Sequence, residues 1–433
     1  LNAGANVTIT AAVQAIDVVD IDGINVSLGS VNSNAANVLA TGVVNIGSLL
    51  GGTQIIQGAA VTLGTVNINS ANTATVTATA GNITAGNLAG GSAILNAAGN
   101  ATVTDVSLTG LLDIDATGSI GFANVTARDI QLTAGGNIAG ATAISPNTTG
   151  GVFDRVVLNA GGDVTVTGTV QAIDIVDVDG GNVTIGTLDS NDGDILATGA
   201  VSVGNITGTT HVIQGGSINL TSVAITGSLT ANATTGSITS GNIGASTTNL
   251  DAVDAIALAD VTVTGALFAD AGGAVSFGTL TGRDIQINAG GTIAGTSAIS
   301  SNATGGVFDR VVLNSGSNID IAGSVQAVDV VDIDGANVTL GSVNSNAGNV
   351  LATGSADVGS LLGGTHVIQG TSVILDSSNI AGNLTVTATA GNISGVAGLL
   401  VGGTIDYDAT GSIGFGSATA SVINMASGGN IAG

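Results

Sequence analysis

Along most of this chain apolar and polar residues alternate. NVTIT (6–10), TVTATA (75–80) and DVTVTGTV (163–170) place Val, Ile or Ala at alternate positions with Thr between them. A period of two with β-branched residues predicts half-buried β-strands. The stretches are short and end at Gly or Asn, residues that accept turn conformations at little cost. Gly recurs at turn-like positions 4, 23, 42, 58, 81, 99, 118, 135 and 161, with gaps of 19, 19, 16, 23, 18, 19, 17 and 26 residues. The pattern predicts a strand-and-turn coil of about 20 residues, repeated along the chain.

A larger period contains the smaller one. LNAGANVTITAAVQAIDVVDIDG begins at 1, LNAGGDVTVTGTVQAIDIVDVDG at 158 and LNSGSNIDIAGSVQAVDVVDIDG at 313, dividing the chain into repeats 1–157, 158–312 and 313–433. The third reaches GGNIAG at 428, 115 residues from its start, whereas the first reaches it at 135, after 134. The 19-residue deficit is about one coil. A solenoid tolerates the loss of a whole coil because each coil touches only its neighbours. The expected fold is therefore all-β: a parallel β-solenoid, specifically a right-handed β-helix, running as one continuous domain over 1–433. It should hold about 22 coils, and at about 4.8 Å between strands it would be a rod on the order of 105 Å long. The chain starts without Met and stops in mid-repeat, so it reads as a segment of a longer array.

Composition narrows the function. There are 29 acids, all Asp, against four Arg, and the formal net charge is -25. Such a charge disfavours nucleic acid and anionic lipid. Apolar runs are too short for a membrane span of roughly 20 residues. There is no Cys, hence no disulfide or thiol chemistry. Residues 23–104 carry no charged side chain, which rules out a solvated amphipathic helix there and leaves a surface able to pack side by side with other copies.

The four arginines share one setting. TARDIQLTAGGN (126–137) aligns with VFDRVVLNAGGD (152–163) at an offset of 26 residues, one oversized coil. Arg128 should then face Asp154, and Asp129 should face Arg155; the second repeat pairs Arg283 with Asp309 and Asp284 with Arg310. Reversed order on stacked coils turns two repulsions into two attractions and fixes register beside the extra length. That extra length, 141–151 and 295–306, should bulge from the solenoid and is the place for a ligand-binding alternative.

The other candidates read as structural. DVVDIDG (Asp17, Asp20, Asp22) recurs at Asp174, Asp177, Asp179 and at Asp329, Asp332, Asp334. Calcium is the cation that Asp20, Asp22, Asp177, Asp179, Asp332 and Asp334 suggest. Calcium needs six to eight oxygens, and at a 19-residue register Asp22 falls between Ala3 and Thr41 with no second carboxylate above it. A solvating surface is the favoured reading. Asn32, Asp189 and Asn344 exchange at one position, as a turn allows and a catalytic acid does not. His211 and His366 sit in THVIQG where the first repeat has Gln54. Phe122, Phe277 and Phe415 match across the repeats, as do Phe153 and Phe308, and read as internal stacks. Asn-x-Ser/Thr triplets at Asn6, Asn182 and Asn337 are expected by chance in so Asn- and Thr-rich a chain. Thr alternation is also found in ice-binding solenoids, but gaps of 16 to 26 residues argue against a regular Thr face.

LNAGGDVTVTG, ITAGNLAGGSAILNAAGNATV and IQLTAGGNIAG resemble the repeat region of filamentous haemagglutinin-like adhesins, large surface exoproteins of Gram-negative bacteria. The resemblance spans essentially the whole chain. It implies a right-handed β-helix, export through an outer-membrane secretion partner, and an extracellular stalk or adhesive role. The Asn-Pro-Asn-Gly motif of that family's secretion domain is not matched by Pro146, which sits in SPNTTG. The expectation is a structural rod of an adhesin or extracellular filament, not an enzyme and without a cofactor. Its partners would be copies of itself and a host or neighbouring-cell surface or glycan. A carbohydrate- or receptor-binding module on the bulges is the alternative. A polysaccharide-degrading β-helix is disfavoured because clustered Asp would lack the Lys, His and aromatic groups that such sites combine.

Overall fold

The structure is a computed structural model that describes residues 1–145, 154–301, 309–395 and 398–433. It is an all-β parallel β-solenoid of about 23 turns with roughly 18 residues per turn. The count is close to that read from the glycines, and the coil is shorter because the long coils inflate a mean taken over glycine gaps. Contacts divide the chain into two compact units, Leu1–Gly216 and Ser217–Gly433.

In the first unit each coil contributes strands to three parallel sheets. One interior column of the third sheet runs through Ile21, Val38, Ile56, Val76, Leu95, Ile114, Leu132, Leu158, Val178 and Ile195. None of these is more than 2% exposed. Val26, Val44 and Val61 belong to the matching column of the first sheet, and Val31, Leu49 and Val66 to that of the second. Each fully buried Val, Leu or Ile stabilises the fold by about 1.5–3 kcal/mol relative to exposure. The alternation in the sequence is this in-and-out pattern, and the narrow interior explains why Val, Ile, Leu and Ala fill it.

Two devices join the sheets. Between the first and second sheets lies a column of glycines: a Cβ on Gly47 would meet Gly29 O at 2.5 Å, one on Gly64 would meet Gly47 O at 2.1 Å, and one on Gly86 would meet Gly64 O at 2.4 Å. Before the first sheet lies a ladder of side-chain caps. Asn6 Oδ1 accepts from the Asn25 backbone N–H at 3.2 Å, Asn25 Oδ1 from Val43 N–H at 2.8 Å, and Asn100 Oδ1 from Ser119 N–H at 2.8 Å. The ladder continues through Ser119 Oγ, Asn137 Oδ1, Asp163 Oδ1 and Asn182 Oδ1. Asn, Asp and Ser interchange there because each offers an oxygen acceptor to the next coil. These bonds satisfy N–H groups that a turn would otherwise leave unpaired.

The second unit follows the same plan. Its third sheet stacks Leu250, Ala269, Ile287, Leu313, Ile333, Val350, Ile368, Val386 and Tyr407. Asn318 Oδ1 caps Asn337 N–H and Asn337 Oδ1 caps Ser355 N–H. Phe277 is buried beside Gly295, as Phe122 is beside Gly140 in the first unit. Phe153 and Phe308 lie outside the described residues.

One expectation changes. Uneven coil length does not scatter the outward threonines. Thr8, Ser27, Asn45, Thr62, Thr84 and Thr102 stand in one column although 17 to 22 residues separate neighbours. The extra residues are taken up outside the paired positions, so sequence spacing is no measure of surface regularity. Asn45 already breaks the run of hydroxyls, and the column then passes through Gly121 and Ala139.

Candidate functional site

Three groupings of chemically capable side chains stand out. The first is the oversized coil. Asp129 pairs in register with Arg155 and Asp284 with Arg310. Arg155 Nε donates to Asp129 Oδ1 at 2.9 Å; Arg310 Nε donates to Asp284 Oδ1 at 2.8 Å and its Nη2 to Oδ2 at 3.1 Å. The hydrogen bond to Asp284, ahead of charge attraction, raises the Arg310 pKa. Asp154 and Asp309 are turned inward, 5% and 7% exposed. Their backbone N–H groups donate to Asp174 Oδ2 and Asp329 Oδ2. Arg128 and Arg283 enter this coil through backbone bonds to Gly110 O and Gly265 O. Of the stretches expected to bulge, 141–151 and 295–306, the described parts at Thr142–Ile144 and Ile299–Ser301 instead pair in register with the coil before, and 146–151 and 302–306 lie outside the described residues.

The second grouping is the outward aspartates of the third sheet. Here the register differs from expectation. Asp22 bridges to Asn2, 20 residues back, and pairs with Leu39, 17 residues on, because successive coils place different numbers of residues in their corners. Asp20 accepts from Asn37 Nδ2 at 2.8 Å, and Asp332 from Asn349 Nδ2 at 2.8 Å. In the middle repeat a second carboxylate does stack: Asp177 lies in register with Asp194. Burial first, then Asp179 and Asp194, raise the Asp177 pKa; burial, then Asp192 and Asp179, raise that of Asp194. Burial and Asp332 raise Asp334 in the same way. Among the described residues no group of three or more acids or histidines is placed to hold a metal ion.

The outward side of the third sheet carries a shallow groove in each unit. One, of about 440 Å³, is lined by Thr77, Asn96, Asp115 and Thr133 over a floor of Ala78, Ala97 and Ala116. The other, of about 460 Å³, is lined by Asp270, Asn288, Asn314 and Asp334.

The third grouping is interior, and reading the sequence found only half of it. His211 and His366 are 0% and 1% exposed. Gly193 pairs with His211 and Gly348 with His366; in the first repeat the pair is Ala36 and Gln54. His211 Nε2 bonds Thr207 O at 3.1 Å and His366 Nε2 bonds Leu362 O at 3.0 Å. A carbonyl partner requires the proton on Nε2, which leaves Nδ1 as a bare acceptor. Among the described residues neither Nδ1 has a hydrogen-bond partner, and neither do the buried hydroxyls of Ser190 and Ser345. A Cβ on Gly348 would lie 2.1 Å from His366 Nδ1 and 3.2 Å from Ser345 Oγ; on Gly193 the distances are 2.2 Å to His211 Nδ1 and 2.9 Å to Ser190 Oγ. Each imidazole therefore rests on a glycine beside a serine. Burial lowers both histidine pKa values. The Thr207 carbonyl, then Asp192 and Asp189, oppose this at His211; at His366 only the Leu362 carbonyl does. The first repeat satisfies more of its core: Ser33 Oγ donates to Ala35 O at 2.8 Å, and Gln54 Nε2 donates to Ser33 O and Gly52 O at 3.2 Å each. The missed signal was the paired change from VNSNAANV with TQ to VNSNAGNV with TH, at positions 18 residues apart.

Among the described residues no helix is long and apolar enough to cross a membrane. No family model, no curated protein and no solved structure matches this chain.

Proposed function

We propose that this chain is the structural repeat region of a secreted or cell-surface bacterial adhesin or extracellular filament. It holds attachment functions away from the cell and supports surface attachment, cell–cell contact or matrix structure. The observation that carries this reading is where the polar side chains are spent. The Asn, Asp and Ser caps and the Arg155–Asp129 and Arg310–Asp284 pairs bind coil to coil within each unit. Side chains used in this way strengthen a repeat against shear and fraying, which a shaft requires. The resemblance to haemagglutinin-like repeats supports the extracellular setting, export through an outer-membrane partner, and a host surface, a glycan or further copies as what it meets.

Electron microscopy of the purified chain, with calcium and then with chelator, tests the proposal. Unbranched rods or laterally paired fibres, unchanged by chelator, are expected. Compact globular particles would refute the shaft reading. Collapse in chelator would instead make the third-sheet aspartates cation ligands.

A further inference from the structure

The three copies of one interior site differ in a way that has a chemical consequence. Ala36 with Gln54 forms a core whose amide bonds two carbonyls and carries no group that titrates near neutrality. Gly193 with His211 and Gly348 with His366 replace it with an imidazole. The ring is held as the Nε2–H tautomer by the Thr207 or Leu362 carbonyl. A proton arriving at Nδ1 would create a cation inside the solenoid. The glycine that packs against Nδ1 also packs against a neutral hydroxyl, Ser190 Oγ or Ser345 Oγ. A single neutral hydroxyl does not offset the cost of a buried charge.

We infer that the two Ser–Gly–His cores are acid-sensitive joints: protonation of the imidazole opens the solenoid locally at 187–214 and 342–369, while the Gln54 core at 30–57 stays closed.

The surroundings rank the two joints. Around His366, the strand beneath, Val338–Ala352, and the strand above, Leu384–Ala388, contain no charged residue. Asp357 on its own strand alternates outward between buried Ala356 and Val358. Among the described residues no carboxylate pulls the His366 pKa upward. Beneath His211, the strand Val183–Ala197 carries Asp189, Asp192 and Asp194, and the first and third of these positions become Asn344 and Asn349 in the last repeat, with Ala347 for Asp192. Asp192 and Asp189 favour the cation at His211. The His366 joint is therefore the more acid-sensitive of the two.

The sign follows from which state takes up the proton first. The buried rings have lowered pKa values, while an opened coil has an ordinary histidine near pH 6.5. Above about pH 6.5 neither state is protonated and the closed form keeps its full stability. Below it the opened form gains protons first, so closure weakens as pH falls toward the lowered pKa of the closed form. One proton bounds the effect at about 30-fold in the opening equilibrium between pH 7.5 and pH 5.0.

The test is hydrogen–deuterium exchange of the whole chain at pH 7.5 and pH 5.0, corrected for intrinsic exchange. Protection of 342–369 should drop by up to about 30-fold, that of 187–214 by less, and that of 30–57 not at all. The double variant Gly348→Ala/His366→Gln, which installs the chain's own first-repeat pair, should abolish the drop at 342–369 alone. Equal acid sensitivity in all three segments, or an unchanged drop in the double variant, would overturn the inference. If that variant does not fold, nitrogen-15 NMR of the native imidazoles decides: titration near pH 6.5 refutes the joint, and titration well below it supports it.

Discussion

Residues 26–58 and 338–370 are the same two coils in two different units, and their differences fall into two kinds. Outside, single changes stand alone: Asn45 becomes Asp357, Ile55 becomes Val367 and Val43 becomes Ser355, with no change in register. Inside, two buried positions only lose volume, Val44 becoming Ala356 and Ile46 becoming Val358, whereas the one gain in volume is met by a loss on the coil beneath. Gln54 becomes the bulkier His366 where Ala36 beneath it becomes Gly348. The outward face of a parallel sheet is open to solvent and accepts side chains one at a time. The interior is close-packed, so added volume must be removed from a contacting residue.

The frame common to both regions should be the most sensitive to substitution. Gly51 and Gly363 hold φ of +120° and +107°, and a Cβ there would sit 2.0 Å from Ser33 O and 2.3 Å from Ser345 O. Both the backbone conformation and the carbonyl oppose any side chain. Gly51→Ala and Gly363→Ala should each cost roughly 3 kcal/mol or more, read as a lowered denaturation midpoint. A neutral result at either would mean that the two coil pairs do not share a frame.

The paired interior change comes next. Gly348→Ala alone drives a Cβ into His366 Nδ1 and should cost about 2–3 kcal/mol. Adding His366→Gln should recover most of that loss. A double-mutant cycle measures the coupling directly, and additivity would dissolve the interior half of the comparison.

These effects also mark how much the sequence disclosed. Alternation and glycine spacing identified strands, coils and a parallel solenoid, because the inward and outward pattern of a strand is written in consecutive residues. Position within the sheet was not written there. A 19-residue coil put Asp22 beside Thr41, whereas the structure pairs it with Leu39, and it hid the stacking of Asp177 on Asp194. Sequence distance measures the path around a coil, including corners that take differing numbers of residues, and pairing depends only on where the strand re-enters its sheet. The histidines were seen, but the glycine and serine packed against each ring were not. Burial and tautomer are properties of the closed coil. The glycines held at positive φ, Gly51 and Gly363, lie outside the turn series that first marked the coils.

A smaller effect should treat the two regions alike despite their different outer residues. Asn25 Oδ1 accepts from Val43 N–H at 2.8 Å and Asn337 Oδ1 from Ser355 N–H at 2.9 Å. Removing either acceptor with Asn→Ala leaves one N–H to water and should cost about 1 kcal/mol. Asn337→Asp keeps an oxygen at the same place, as Asp163 does for Asn182 in the middle repeat, and should cost less than Ala. Equal losses for Asp and Ala would show that the Nδ2 bond to the preceding coil, Asn337 to Asn318, matters more than the cap.

The smallest effect belongs to the charges that look most purposeful in the sequence. Arg310 and Asp284 are joined at 2.8 Å, but their side chains are 42% and 20% exposed. Water and salt screen such a pair, and ordering a long side chain offsets part of the attraction, so Arg310→Ala should cost between about 0 and 1 kcal/mol. The loss should shrink further in high salt. Its counterpart in the other unit, Arg155→Ala, faces Asp129 with nearly the same exposures of 40% and 19% and should behave alike. Where the pairs should matter is register. Each lies where the ladder resumes after a 26-residue step, at Asp129↔Arg155 and Asp284↔Arg310. Reversing both members, Asp284→Arg with Arg310→Asp, keeps the attraction and should restore exchange protection across that step to the native level. Arg310→Asp alone sets two carboxylates together and should lower protection there more than Arg310→Ala does. If reversal restores nothing, the pair is ornamental, and the register beyond the long coil is held by its hydrophobic column of Ile287, Leu313 and Ile333 alone.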